Sequence, residues 1–322
     1  MSLTREQKEA QLNMPYEEKI KRSKELILEW YLQYGGKVCV SFSGGKDSTV
    51  LLHLARSIKG CSDISGVFVD TGLEYPEIRE FVKKQENIQW VKPKLTFKQV
   101  LEKYGWPIIS KEQSHYIYLI RNSKSDYMKQ RCIYGQEGTG NFALSKRWRP
   151  LICSNFKIDN ACCYVMKKNP AKKYAAESGL KPMLGVMAEE SRMRLTQYMG
   201  TNCNAFSEKH PTSRPIMFWR EQDILRYIYE NKLEIASVYG EVIKDENGLF
   251  KTTGVHRTGC MFCMYGVHQE GHPNRFELMK RTHPKQYDYI MNKLGGKEIL
   301  DFYLQCSAKK AELKTKKLKV KL

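Results

Sequence analysis

Residues 37–60 read KVCVSFSGGKDSTVLLHLARSIKG, and this stretch decides the fold. Residues 37–42 are a short apolar run of the kind buried in a parallel sheet, and residues 47–60 carry a helical pattern that Gly60 closes. The junction is Ser43-Gly44-Gly45-Lys46-Asp47-Ser48. Two glycines let the backbone turn tightly, so that amides face an anion with no Cβ in the way. The helix then presents its positive dipole end and its unpaired N–H groups to the same point. Ser41, Ser43 and Ser48 add hydroxyl donors, and Lys46 adds a mobile charge on an exposed loop. Asp47 serves either as helix cap or as metal ligand. A capped Gly-Gly turn accounts for the glycines alone, whereas a phosphate grip accounts for all six residues in their strand–turn–helix setting. The spacing is not that of a Walker loop, which needs four residues between its glycines. Lys46 and Asp47 are the candidate catalytic residues.

Working outward, residues 65–70 predict a second buried strand that ends at Asp70-Thr71-Gly72, and a helix follows from Pro76. Residues 88–91 predict a third strand and 97–104 a helix. The alternation argues for an α/β fold with a doubly wound, mostly parallel sheet, in which ligands bind at the carboxyl ends of the strands. The loops after Phe42 and Val69 are therefore where chemistry belongs. An amphipathic helix at 16–34, stopped by Gly35-Gly36, precedes this core. Residues 106–160 are irregular and include a glycine-rich loop at 135–140. Beyond them the pattern predicts a helix through Cys162-Cys163, a strand at 183–187, a helix at 191–199 and a strand at 214–219. A helix over REQDILRYIYENKL, a hairpin around Asn247-Gly248 and helices at 273–294 and 297–306 complete the chain. The linear division is a helical segment at 1–35, a nucleotide-binding α/β domain at 36–255, a cysteine-containing helical region at 256–307 and a basic tail at 308–322.

The 54 Lys and Arg residues against 35 Asp and Glu give a net charge of +19. Part lies in the tail, AKKAELKTKKLKVKL, and part in the body at Lys146-Arg147-Trp148-Arg149 and from Lys167 to Lys173. A solvated, soluble surface explains some of it; a footprint for a nucleic acid, tRNA or DNA, explains the excess in the body as well. The charged beginning of the chain and the lack of a long apolar run point to a cytoplasmic protein without membrane contact. Ten cysteines then belong to reduced thiols or metal ligands. Two groups stand out: the adjacent Cys162 and Cys163, and Cys260 with Cys263 in a C-x-x-C. Zinc is the rival to a cluster here, but adjacent cysteines on a helix diverge by about 100°, which suits separate corners of a larger iron–sulfur cube better than one small ion.

The loop SGGKDS resembles the PP-loop of the N-type ATP pyrophosphatases, which cleave ATP between its α and β phosphates. VFVDTGLEYPEIREF (67–81), LGVMAEESRMR (184–194) and RPIMFWREQDILRYIYENKLEIASVYG (214–240) resemble successive blocks of the phosphoadenosine phosphosulfate reductase family, in order. The resemblance implies an adenine nucleotide alpha hydrolase-like fold with helical additions at both ends. It implies that Asp70, Thr71 and Gly72 lie near the nucleotide and that Glu190, Ser191 and Arg194 line the substrate pocket. Met187 stands where relatives often carry Arg two residues after the block's Gly185. The pattern Cys-Cys…Cys-x-x-Cys resembles the 4Fe–4S ligand set of assimilatory adenylylsulfate reductases and of DNA phosphorothioation enzymes. His256 and Arg257, just before the second pair, are candidates for contacting an anionic substrate or tuning such a cluster.

Two activities compete. One is ATP- and Mg²⁺-dependent adenylylation of a nucleic acid followed by sulfur transfer, with a cysteine desulfurase or another sulfur donor. The other is reduction of adenylylsulfate or its 3′-phosphorylated form. Reductases resemble one another in a C-terminal Glu-Cys-Gly-Leu-His element that this sequence lacks; its nearest thiol is Cys306, within LQCSAKK. They also tend to alter the Lys-Asp-Ser that this loop keeps. A nucleotide-sensing subunit without catalysis is the third reading.

Overall fold

The computed structural model describes residues 3–136, 141–207 and 209–319, with side chains described as far as residue 307. Glu137 to Gly140 of the glycine-rich loop and the side chains of the basic tail lie outside the described residues. The first half runs α1 (Arg5–Leu12), α2 (Tyr16–Gln33), β1 (Val38–Ser41), α3 (Lys46–Arg56), β2 (Ser65–Val69), α4 (Pro76–Lys84), β3 (Ile88–Val91), α5 (Phe97–Lys103), β4 (Ile108–Ile109), α6 (Lys111–Asn122) and α7 (Asp126–Tyr134). The second half runs α8 (Asn169–Ser178), β5 (Lys181–Leu184), α9 (Arg192–Gly200), β6 (Asn204–Ala205), β7 (Thr212–Ser213), α10 (Glu221–Glu230), β8 (Val242–Lys244), β9 (Phe250–Thr252), β10 (Met264–Tyr265), α11 (Arg275–Thr282), α12 (Pro284–Asp288) and α13 (Gly296–Lys319). The chain forms two units, Met1–Pro93 with Asn169–Gly259, and Lys94–Lys168 with Cys260–Leu322.

The first unit holds a six-stranded sheet in the order β3-β2-β1-β5-β7-β6. All pairs are parallel except β6 with β7. Successive strands step from β1 outward to β3, and the chain then returns to the other side of β1 to add β5. The strand order therefore reverses between β1 and β5, the switch point where open α/β sheets bind ligands. Helix α3 joins β1 to β2 and packs against β1, α4 joins β2 to β3, and α8 packs against β2 and β3 before the chain enters β5. With both faces covered, Val38, Cys39 and Val40 are all buried, which is why β1 reads as a continuous apolar run. Helix α2 supplies Leu26, Ile27 and Trp30 to the same core, and the Trp30 indole donates to the Lys181 carbonyl at 3.3 Å.

The apolar run 214–219 is not a strand. Strand β7 ends at Ser213, and consecutive turns follow, closed by Met217 N–H to Arg214 O and Trp219 N–H to Ile216 O, both at 3.1 Å. Pro215 has no N–H to give to a ladder. Ile216, Met217, Phe218 and Trp219 are still buried, because apolar side chains gain as much from a turn pressed into the core as from a strand. The Trp219 indole donates to Ser23 Oγ at 2.8 Å, and that hydroxyl donates to the Pro215 carbonyl at 2.8 Å, so the buried polar atoms are satisfied.

In the second unit β4 pairs in parallel with β10, and Trp148, His268 and Tyr303 form an aromatic core. The helical pattern at 273–294 breaks into α11, α12 and a π-turn over Tyr289–Lys293. Pro284 causes the first break by holding His283 outside the helical region, at φ −135° and ψ 62°. No helix among the described residues is long and apolar enough to cross a membrane.

Candidate functional site: a phosphate loop and a cysteine group

The phosphate loop leaves β1 at its carboxyl end and enters α3. Gly44 has φ +70°, and a Cβ there would come within 2.8 Å of both Ile78 and Val82 of α4. Only glycine fits on both counts. Gly45 sits at the N-cap of α3 in extended conformation (φ −81°, ψ 161°), and no side chain caps the helix. Asp47 is therefore not the cap: it lies inside the first turn. The amides at this helix end are left for an anion, as phosphate binding requires. The serines fix the loop's shape. Ser43 N–H donates to Ser48 Oγ at 3.1 Å, the two hydroxyls share a 3.0 Å hydrogen bond, and Gly45 N–H donates to Ser43 Oγ at 3.3 Å. Ser41 ends β1, half-buried, and pairs in register with Leu184 of β5. Gly185 follows on β5, where a Cβ would stand 3.1 Å from the Asp47 carbonyl and Ser48 Cα. The exit of β5 thus lies against the phosphate loop.

Lys46 is neither free nor on an exposed loop. Its ammonium is 6% exposed, donates to Glu221 Oε1 at 3.1 Å and to the His256 carbonyl at 2.8 Å, and lies 5.5 Å from the centre of the Tyr239 ring. The lysine stem is long and apolar, so it packs inward while its head meets acceptors at the rim. Asp47 is mostly buried, and burial above all pushes its carboxyl up to about 6, with the nearby Glu190 adding to the rise and Lys46 and Arg257 opposing it. Glu190 receives Arg194 Nη1 at 2.7 Å, Arg257 Nη2 at 3.0 Å and the Met187 amide at 2.9 Å. Ser191 caps α9 by accepting from Arg194 N–H at 3.2 Å. His256 Nε2 lies 3.0 Å from Glu221 Oε2. His256 and Arg257 are thereby tied to the carboxylates beside the loop. Met187, in the position where an Arg could have been, is buried and offers only its backbone.

At the end of β2, Asp70 is buried and receives Arg79 Nη2 at 2.9 Å and the Gly72 amide at 3.3 Å. Thr71 donates its hydroxyl to Glu74 at 2.8 Å, and its amide donates to the same carboxylate at 3.1 Å. Glu221, Tyr239, Arg79 and Glu74 lie inside the resembling blocks, but the sequence singled none of them out. Glu221 opens α10 about 175 residues from the lysine that it meets, and nothing local in the sequence marks that meeting.

The second unit gathers the four cysteines. Cys162 is buried within electrostatic reach of Cys163, Cys260 and Cys263, and burial first, then those three sulfurs, drives its thiol pKa well up. Burial also pushes Cys263 up to about 11, and Cys260 and Cys163 add to the rise. Cys162 is buried while its neighbour Cys163 is half-buried, the divergence expected of adjacent helical residues. The turn Cys260-Met261-Phe262-Cys263 is closed by Cys263 N–H to Cys260 O at 3.1 Å, and Arg275 Nη1 donates to the Cys263 carbonyl at 3.1 Å. Tyr265 follows, its hydroxyl buried without a hydrogen-bond partner and within electrostatic reach of Cys163, Cys263, Cys162 and Asp159. Its strand partner Ile109 has φ +64°, a costly conformation for a β-branched residue and one that gathers at functional sites. Among the described residues no group of three or more His, Cys, Asp or Glu is placed to hold a metal ion. The donor set still fits a thiolate-bound centre in its chemistry: four soft sulfurs, three of them close enough to raise the Cys162 thiol further, and an unpartnered hydroxyl donor beside them.

Comparison with known proteins accords with this geometry. The chain is 25% identical over 281 residues to one uncharacterised protein of Methanocaldococcus jannaschii, covering 83% of this chain and 51% of that protein. It is 26% identical over 260 residues to a second from the same organism, covering 80% and 41%. The chain thus spans about half the length of the curated relatives that it matches. A crystal structure of phosphoadenylyl-sulfate reductase from Candida auris, in complex with phosphate, is similar at a TM-score of 0.41 and 16% identity, over 77% of this chain and 98% of that one. The family model of the phosphoadenosine phosphosulfate reductase domain matches residues 37–136 and 125–265, from the residue before β1 through the C-x-x-C turn. With both the phosphate loop and the four cysteines inside that match, the chain belongs to the phosphoadenosine phosphosulfate reductase domain family, within the PP-loop nucleotide-binding superfamily.

Proposed function

We propose that this protein uses ATP to adenylylate a nucleic acid and then transfers sulfur to the activated position. The observation that carries the reading is the unaltered Ser43–Ser48 loop with Lys46 and Asp47 set at the uncapped start of α3. An acceptor oxygen attacks the α-phosphorus of ATP, pyrophosphate leaves, and the acceptor keeps AMP. A sulfur nucleophile then forms the new C–S bond as the C–O bond to AMP breaks. Lys46 neutralises charge that develops on the leaving pyrophosphate, and the amides of α3 hold the phosphates in line. Asp47 would hold Mg²⁺: its carboxyl is buried and crowded by Glu190, an excess of negative charge that a cation relieves. Asp70, Thr71 and Gly72 border the nucleotide, and Glu190, Ser191 and Arg194 border the acceptor. Cys162, Cys163, Cys260 and Cys263 would hold a 4Fe–4S cluster, which when bound supplies redox-active, sulfur-binding chemistry.

Incubation with labelled ATP, Mg²⁺ and bulk tRNA or DNA tests this. AMP and pyrophosphate that form only with nucleic acid support the proposal. Sulfite release from adenylylsulfate with a thiol donor, lost in Cys306→Ser, would replace it with reductase chemistry. ATP that binds without turnover under either condition would make the protein a sensor.

A further inference from the structure

Helix α7 carries on one face a pattern that the phosphate loop and the cysteines do not use. Tyr127, Arg131 and Tyr134 stand at i, i+4 and i+7, so they form a single stripe about 10 Å long. Tyr127 is 69% exposed and Tyr134 68%, among the largest exposures of any aromatic residue in the protein. Exposed rings of this size usually turn inward in a folded domain. Cations stand over two of the rings on this face: the Arg149 guanidinium lies 5.7 Å from the centre of the Tyr134 ring, and Arg131 lies 4.8 Å from that of Phe142, itself 47% exposed. Residues 111–153 contain eight Lys and Arg against three Asp and Glu. Arg121 is not part of this surface, because its donors are spent on the carbonyls of Leu151, Ile152, Ser154 and Phe156.

We infer that this face of the second unit, Tyr127, Arg131, Tyr134, Phe142 and Arg149, binds single-stranded nucleic acid by stacking bases on its rings and pairing phosphates with its cations. Every base offers a flat π-face, so exposed aromatic rings interleaved with positive charge take a single strand with little regard to sequence. A duplex keeps its bases stacked on one another and offers these rings nothing. The excess of Lys and Arg over Asp and Glu in residues 111–153 favours a polyanion over a protein as the occupant. The inference rests on the proposed nucleic-acid acceptor and assigns the surface that would hold it.

The test is fluorescence anisotropy of the full chain with a labelled 12-nucleotide oligouridine and with a labelled 12-base-pair duplex. The wild type is expected to prefer the single strand. Tyr127→Ala and Tyr134→Ala should each weaken it about ten-fold with unchanged melting temperature, since both rings are exposed. Tyr134→Phe should bind as wild type and Tyr134→Leu should not, a split that only stacking produces. Arg131→Gln should flatten the salt dependence by about one phosphate contact. Single-strand binding that none of the tyrosine variants changes overturns the surface and leaves the acceptor reading standing. A wild type that binds neither probe, and makes no AMP with nucleic acid, overturns both. A wild-type dimer that Tyr134→Ala converts to monomer assigns the face to a second copy and overturns the inference.

Discussion

The phosphate loop and the cysteine group handle charge in opposite ways. Around the loop nearly every ion has a partner of opposite sign: Lys46 with Glu221, Glu190 with Arg194 and Arg257, Asp70 with Arg79. The arrangement is pre-set, and burial drives the Asp47 carboxyl above its usual range. In the cysteine group burial first, and then Cys163 and Cys260, make ionisation of both Cys162 and Cys263 harder. A polar site built from matched pairs can hold its shape by itself. A site built from like groups gains its stability from a cation, and metal binding reverses the sign of every thiol interaction in it.

The largest expected effect tests the second half of this contrast. Protein purified without oxygen should be brown with about four iron per chain, and Cys260→Ser with Cys263→Ser should lose nearly all of it. Iron analysis and visible absorption read this, and a colourless wild type with stoichiometric zinc would break the contrast in favour of a single-ion site. Next, Lys46→Ala should slow ATP turnover by about 10²–10³-fold, since its charge acts on the leaving group. The same change leaves the half-buried Glu221 with His256 alone, so it should also cost stability by about 1 kcal/mol. Normal AMP production in this variant would remove the loop from catalysis.

Gly44→Ala should cost about 2–3 kcal/mol in denaturant unfolding, because it forces a side chain into a left-handed backbone against Ile78 and Val82. Asp47→Asn should have the smallest effect, and its sign depends on pH. The folded carboxyl titrates near 6 against an ordinary 3.8, so the folded state holds the proton more tightly. That stabilisation is complete below about 4 and is lost as pH rises through 6. Asparagine mimics the protonated form, so the variant should gain on the order of 2 kcal/mol over wild type at pH 8 and nothing at pH 4. Turnover of the wild type should change the opposite way, rising through pH 6 as Asp47 ionises to hold Mg²⁺. Thermal melts and AMP release across the same pH range would show the two curves crossing; parallel curves would separate Asp47 from the metal.

The sequence by itself determined β1, the turn and α3, because a buried strand, two glycines and a helix start are local requirements written in adjacent residues. It likewise located β2, β3, the β8–β9 hairpin and both cysteine pairs. Tertiary structure alone decided three things. It made 214–219 a buried turn, since an apolar run records burial and not the backbone conformation that achieves it. It folded residues 94–168 with 260–322, which brings Cys162 and Cys163 to Cys260 and Cys263. It also took Lys46 from the exposed loop that its neighbours suggest and paired it with Glu221 and the His256 carbonyl. These pairings join residues far apart in the chain, and the energy that selects them comes from packing and charge that no short stretch of sequence contains.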